Sequence, residues 1–187
     1  MVDQLVAFLL RQPEWIKSDG KDHIIVAHHP KSLLYVRKKL GLARFVLADF
    51  GRYGAKTANS DKDVIAPYQH VVNSISTNNS SPFEQRPPLA YFQGAIYRKD
   101  VRGAIRQELF YLLKDEKDVH FTFGSAQRSG VRQASRGMGT SRFCLNIAGD
   151  TPLSNCLFDA IVNHCVPVII SDNIELPYED VLDYSEL

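Results

Sequence analysis

The stretch FCLNIAGDTPLSNCLFDAIVNHCVPVIISD, residues 143–172, decides the fold. Phe143 to Ile147 is a short apolar run, and Gly149 to Pro152 carries turn chemistry. Ser154 to His164 follows the helical repeat, and Val166 to Ile170 is a second apolar run that ends at Ser171 and Asp172. A strand, a helix and a strand joined by short turns form a parallel pair with its crossover.

Working outward, the same alternation continues upstream. Leu89 to Gln93 and Val119 to Phe123 read as strands, Val101 to Leu113 as an amphipathic helix and Gly130 to Gly137 as a short helix. Four strands alternating with three helices predict an α/β, Rossmann-like unit with a parallel sheet. Residues 74–88, SISTNNSSPFEQRPP, have no apolar period and read as a linker. Asn78 and Asn79 each open an N-x-[ST] triplet there, which matters only in a secretory chain, and Pro82 close behind disfavours occupancy. Before the linker, His23 to His28 and Arg44 to Ala48 read as strands. A helical stretch from Ser32 to Leu40 between them sets Arg37, Lys38 and Lys39 on a solvated face.

The chain has 187 residues, 44% hydrophobic and 23% charged, which supports a real core and excludes disorder as the main state. A net charge of +1 removes the overall electrostatic footprint of non-specific nucleic-acid or anionic-membrane binding. Any anion must therefore be held by a local site. Leu5 to Leu10 is too short and wrongly flanked for a signal peptide or a membrane span. Cys144, Cys156 and Cys165 lack CxxC spacing, so neither zinc nor a disulfide framework is indicated and buried thiols are expected. The histidines form no metal pattern, since His28 and His29 are adjacent and cannot point the same way on a strand. Neither GxGxxG nor GxxxxGK[ST] occurs.

In an open parallel sheet the ligand lies beyond the carboxyl ends of the strands. Those ends carry Gly94, then Gly124 and Ser125, then Gly149, Asp150 and Thr151, then Ser171 and Asp172. A strand ending in glycine is an ordinary turn, but four such ends on one edge favour a crevice. In Gly149 to Ser154 a glycine turn, Pro152 and a hydroxyl cap open a helix whose free N–H groups suit a phosphate. A well-capped helix with no ligand is the plainer alternative. Glu175 is placed to accept hydrogen bonds from ribose hydroxyls, or else is a solvated loop acid.

With these residues in view, the chain resembles the exostosin-like glycosyltransferases, in the branch that includes plant arabinosyltransferases. The matching words are FCLNIAGDTP, LFDAIV, HCVPVIISD and IELPYEDVLDYSE, with GKDHIIVAHHP, VLADFGRY, DKDVIAPY, LAYFQGAIYRK and VHFTFG upstream. The resemblance implies an inverting GT-B enzyme with two Rossmann-like domains. Residues 1–73 would be the C-terminal part of the acceptor-side domain, 74–88 the linker and 89–187 an incomplete, truncated donor domain. It further implies a type II Golgi membrane protein that builds cell-wall or related glycans, with the anchor absent from this chain.

Carried over by position, the resemblance sets Gly149, Asp150, Thr151 and Ser154 by the diphosphate of a UDP-sugar and Asp159 in support of the helix start. Asp172 and Glu175 would face the nucleoside, with Gly94 and Arg98 as further candidates. The family's basic residue before Leu157-Phe158 is here Cys156, and Leu153 stands where serine is frequent. No tightly bound cofactor and no metal are expected. The partners implied are a UDP-sugar, a glycan acceptor and other glycosyltransferase subunits, without nucleic acid. His28 or His29 is the expected base. The alternative is a truncated, inactive relative that binds within a glycosyltransferase complex. A sheet left partly uncovered predicts marginal stability.

Overall fold

The structure, a computed structural model, describes residues 2–27, 29, 31–51, 57–97, 104–124, 127–172 and 174–184. The chain divides into two compact units, Met1–Pro67 with Glu175–Tyr184, and Tyr68–Ile174. The division falls a few residues before the expected linker, and 175–184 pack with the first unit rather than with the donor-side residues that precede them.

The first unit holds three parallel strands, β1 (Ile24–Ala27), β2 (Arg44–Leu47) and β3 (Val64–Ile65), in that order. Ala27, Phe45, Leu47 and Ile65 point inward. Most of that core lies against Val6 of helix α1 (Val2–Leu9), Trp15 of helix α2 (Pro13–Ser18), Val36 and Leu40. The sequence reading did not flag α1 or α2. Pro13 opens α2, where its fixed φ fits and its missing N–H costs nothing.

The helix expected over Ser32 to Leu40 is reduced to a 3-10 turn, Arg37–Leu40. Leu33 takes φ of 56°, a conformation no right-handed helix can pass through. Arg37 is correspondingly not on a solvated face. It is buried, donates through Nε and Nη2 to the Ser32 carbonyl, and lies over the Phe45 ring. Asp63 is buried in the same unit and accepts from the N–H groups of Phe45 and Asn59 and from Lys62 Nζ, tying β2 to the turn that precedes β3.

The second unit is the expected parallel sheet. Its strands are β4 (Ala90–Gly94), β5 (Val119–Phe123), β6 (Phe143–Ile147) and β7 (Val166–Ile170), in the order β5-β4-β6-β7. Helix α3 (Ala104–Leu113) covers one face, where Leu109, Phe110 and Leu113 meet Phe92, Phe121 and Ile147. Helices α4 (Arg128–Thr140) and α5 (Asn155–Val162) cover the other, where Met138 and Ala160 meet Tyr91 and Cys144. Helix α4 is longer than the expected Gly130 to Gly137 by about one turn in all.

The thiol expectation is corrected. Cys144 and Cys165 form a disulfide, with an S–S distance of 2.03 Å and Cα atoms 5.8 Å apart, and only Cys156 is free. A separation of 21 residues leaves no local signature. The pair forms because β6 and β7 are parallel neighbours with Cys144 opposite Pro167, so that Cys165 lies one step before the strand.

Residues 71–86 are pinned rather than loose. Asp159, buried in the middle of α5, accepts from the N–H groups of Val71 (2.6 Å) and Val72 (3.2 Å), and the Ile75 N–H donates to the Val162 carbonyl. At the other end buried Arg86 donates to the carbonyls of Ser81, Ser141 and His164 and to Ser80 Oγ. Five N–H donors in a fixed fork suit such a junction of backbone carbonyls.

Candidate functional site: the carboxyl edge of the four-stranded sheet

All four strands of the second sheet run parallel, so Gly94, Phe123, Ile147 and Ile170 end on one edge. Between β4 and β5 that edge is drawn tight. The Gly124 N–H donates to the Gly94 carbonyl at 2.9 Å, and a Cβ on Gly124 would stand 2.8 Å from Gly94 Cα. Only glycine allows this approach. Between β6 and α5 the chain turns through buried Gly149, exposed Asp150 and buried Thr151. The Gly149 N–H donates to the Thr151 carbonyl, and Thr151 Oγ1 donates to the Leu153 carbonyl at 2.6 Å.

Ser154 is the N-cap of α5 in extended conformation, but its hydroxyl makes no cap bond and donates instead to Asn146 Oδ1 at 3.0 Å. The helix start therefore keeps N–H groups that its own cap does not satisfy. Asn146, 2% exposed in β6, has its Nδ2 buried without a partner, and so is Ser171 Oγ just past β7. Buried polar atoms are nearly always hydrogen-bonded, to protein or to ordered water, so Asn146 Nδ2 and Ser171 Oγ are polar groups that this sheet edge can offer to a solvent molecule or a ligand.

Arg106 of α3 supplies a standing positive charge to this edge. It is buried, lies over the Phe92 ring, and donates to the carbonyls of Ile147 (2.6 Å), Ala148 (3.0 Å) and Ala95 (3.2 Å). Cys156, in the first turn of α5, feels that charge. Burial pushes its thiol pKa up, while the Ser154 hydroxyl and the Arg106 charge pull it back.

The sequence profile of the exostosin GT47 domain matches residues 1–187, the whole chain. The chain belongs to the exostosin GT47 family. It is 44% identical over 184 residues to a probable arabinosyltransferase, ARAD1, of Arabidopsis thaliana, an alignment that covers 98% of this chain and 40% of that protein. A probable glucuronosyltransferase of Oryza sativa subsp. japonica, Os03g0107900, is 27% identical over 95% of this chain and 44% of its own length. A probable glycosyltransferase of Arabidopsis thaliana, At3g07620, is 30% identical over 94% of the chain and 37% of its own. The chain thus spans about two fifths of the length of these relatives.

Within this GT47 chain the expected site residues separate into groups. Gly94, Gly149, Asp150, Thr151, Ser154 and Asp172 lie on the carboxyl edge of one sheet or in the turns that leave it. Asp159 accepts from Asn155 Nδ2 at the helix start (3.0 Å) and also holds Val71 and Val72, and burial raises its pKa against those hydrogen bonds. Glu175 is in the first unit, on a cavity of about 360 Å³ with Asp63, Ile65 and Tyr178. Burial first, then the charges of Glu179 and Asp49, push its pKa up.

His29 is exposed beyond β1, and its Nδ1 accepts from the Lys31 N–H. His28, Arg98 and Ser125 lie outside the described residues. Among the described residues no group of three His, Cys, Asp or Glu is arranged to hold a metal ion, and no helix is long and apolar enough to cross a membrane. Sequence reasoning missed Asn146 and Arg106. An asparagine inside the apolar run FCLNI was a usable signal, whereas Arg106 looks like any solvated helix arginine until the fold closes over it.

Proposed function

We propose that the chain holds part of the acceptor-side domain and the donor-binding domain of an inverting GT-B glycosyltransferase that moves a pentose or hexose from a UDP-sugar to a wall-type glycan. The observation that carries this is the under-capped start of α5 at the carboxyl edge of the sheet, with the polar side chains of Asn146, bonded to Ser154, and Ser171 at that same edge. A donor amide, a hydroxyl, free N–H groups and the dipole end together suit a diphosphate. Arg106 adds fixed positive potential where the leaving group gains charge, which offsets the thiol at position 156. The names of the similar proteins, arabinosyl- and glucuronosyltransferases, support the reaction class.

In this reaction the acceptor hydroxyl gives its proton to a base. Its oxygen attacks the anomeric carbon from the face opposite the nucleotide, and the bond to the diphosphate breaks with its electron pair leaving on UDP. His28 and His29 are the proposed bases, and His29 Nδ1 accepts from the Lys31 N–H. Gly149, Asp150, Thr151, Ser154 and Asp172 are the proposed donor contacts, and Gly94 and Arg98 are further candidates. Glu175, grouped with the first unit, is the proposed further nucleoside contact beside Asp172 in sequence. The disulfide supports folding in an oxidising lumen, in keeping with the Golgi location that the family resemblance implies.

Calorimetric titration of UDP into the chain tests the reading. Binding should weaken about tenfold in Ser171→Ala, which removes a single buried hydroxyl, and further in Asn146→Ala. Cys156→Arg, which adds a second charge to the helix start, should tighten it about tenfold or more, less so at high salt. No UDP binding by a folded chain would instead favour a non-catalytic subunit.

A further inference from the structure

Helix α4 carries Arg128, Arg132 and Arg136 four residues apart, so the three lie along one exposed stripe with a rise of about 6 Å between neighbours. Alternating charge along a helix face marks one that is laced by its own salt bridges in solvent. This face does not alternate: α4 contains no Asp or Glu, and no salt bridge among the described residues involves these arginines. Like charges at this spacing repel, and an anion lying along the helix relieves that.

The stripe also borders a built groove. A cavity of about 740 Å³ lies between α4 and the segment 73–81, in the size range of ligand sites, roughly 300 to 1,000 Å³. Arg132 and Arg136 line it together with Asn73, Asn79, Gln133 and Thr140, and no carboxylate among the described residues lines it. Its wall is held in place. Arg86 fixes Ser80 and Ser81, Asp159 fixes Val71 and Val72, and Gly139 lets Ile75 pack so close that a Cβ there would meet its Cδ1 at 2.6 Å.

We propose that this groove binds a uronate-bearing oligosaccharide, as a holding site for a part of the acceptor chain remote from the reacting end. Guanidinium forks pair with carboxylates bidentately, amides and hydroxyls suit sugar hydroxyls, and the spacing of the arginines is on the scale of one sugar ring. No aromatic ring among the described residues lines the groove, which argues against single-stranded nucleic acid, whose bases need a stacking platform. Helix α4 leads from the end of β5 back to the start of β6. Arg136 and Thr140 therefore lie toward the amino edge of the sheet, away from the crevice that holds Gly94 and Gly124. The occupant's being the acceptor rests on the transferase reading; the groove's charge and shape do not.

The test is titration of the whole chain with an oligogalacturonate of about six residues, scaled to the groove volume, and with a neutral arabino-oligosaccharide of equal length. Inorganic phosphate, a single-stranded oligonucleotide and UDP are titrated into the same sample. The oligogalacturonate should bind at least about tenfold tighter than the neutral oligomer and lose affinity as salt rises. Arg132→Gln with Arg136→Gln should abolish most of that binding and leave the UDP affinity and the thermal midpoint unchanged.

Equal affinity for the neutral oligomer, or binding that survives the double substitution, overturns the proposal. So does phosphate or oligonucleotide binding as tight as that of the oligogalacturonate. UDP binding without oligogalacturonate binding fails the groove alone; the reverse fails the transferase reading alone.

Discussion

In the four-stranded sheet Tyr91 and Phe92 are neighbours in sequence, point to opposite faces and are both nearly inaccessible, one under α4 and α5 and the other under α3. In the three-stranded sheet Ala27 is buried while Ile24 and Val26 of the same strand stand 68% and 77% exposed, with Val64 open beside them. Both sheets are parallel, and parallel strands are ordinarily covered on both faces. The sequence of β1, IIVA, is apolar on both sides like the strands of the second sheet, so its outer face is built for burial that the contacts of its own unit do not supply. The lesson is that strand composition reports how a strand is meant to be covered, and the contacts report how far that is met.

The largest expected effect comes from loosening the better-covered sheet. Replacing both Cys144 and Cys165 by alanine opens a loop of 21 residues and should cost about 3 kcal/mol on the chain-entropy account. Denaturant unfolding followed by a probe in the second unit would read it. The same shift should appear on reduction of the unsubstituted chain and be absent in the double variant. If reduction moves the variant as well, the disulfide is not the cause.

What the sequence made legible follows from range. Strands β4 to β7 and the order of their helices were readable because each depends on a local apolar period, and the strands of the second sheet were placed to within a residue or so. Contacts made at a distance were not readable. Arg37 and Arg106 sit at positions that look solvated, yet each is drawn inward by backbone carbonyls that only the folded chain brings near. Residues 74–88 look like a linker because they lack periodicity, and they are ordered by Arg86 and the Ile75 to Val162 bond instead. In the site, the glycine and hydroxyl turns were visible in sequence. The orphaned amide of Asn146 and the hydroxyl of Ser171 acquire meaning only from what fails to meet them.

A smaller effect distinguishes the charge of Asp159 from its hydrogen bonds. Asp159→Ala leaves two backbone N–H groups without an acceptor and should cost about 2 kcal/mol. Asp159→Asn keeps an acceptor for them and removes a buried charge, so it should cost much less. The pKa of Asp159 is raised in the folded chain, so its contribution to stability is fully present below the ordinary carboxylate pKa and is lost as pH rises through the raised value. Stability of the parent should therefore fall across that window, and that of the Asp159→Asn variant should fall less. Parallel pH profiles for the two would show that the shift does not reach stability.

The smallest expected change sharpens the comparison from the other side. Ile24→Thr with Val26→Thr alters only the open face of β1, and threonine keeps the β-branched shape that suits a strand. If that face is uncovered in the isolated chain, the double variant should change unfolding free energy by no more than about 0.5 kcal/mol. It should also lower binding of a hydrophobic dye, because the apolar patch of Ile24, Val26 and Val64 is broken. A loss well above that figure would mean that the two side chains are buried in solution, against a second copy or against the rest of the molecule, and a sedimentation measurement on the parent chain would separate these. In that case the contrast between the sheets belongs to the isolated chain alone, and the outer face of β1 meets the burial its composition asks for.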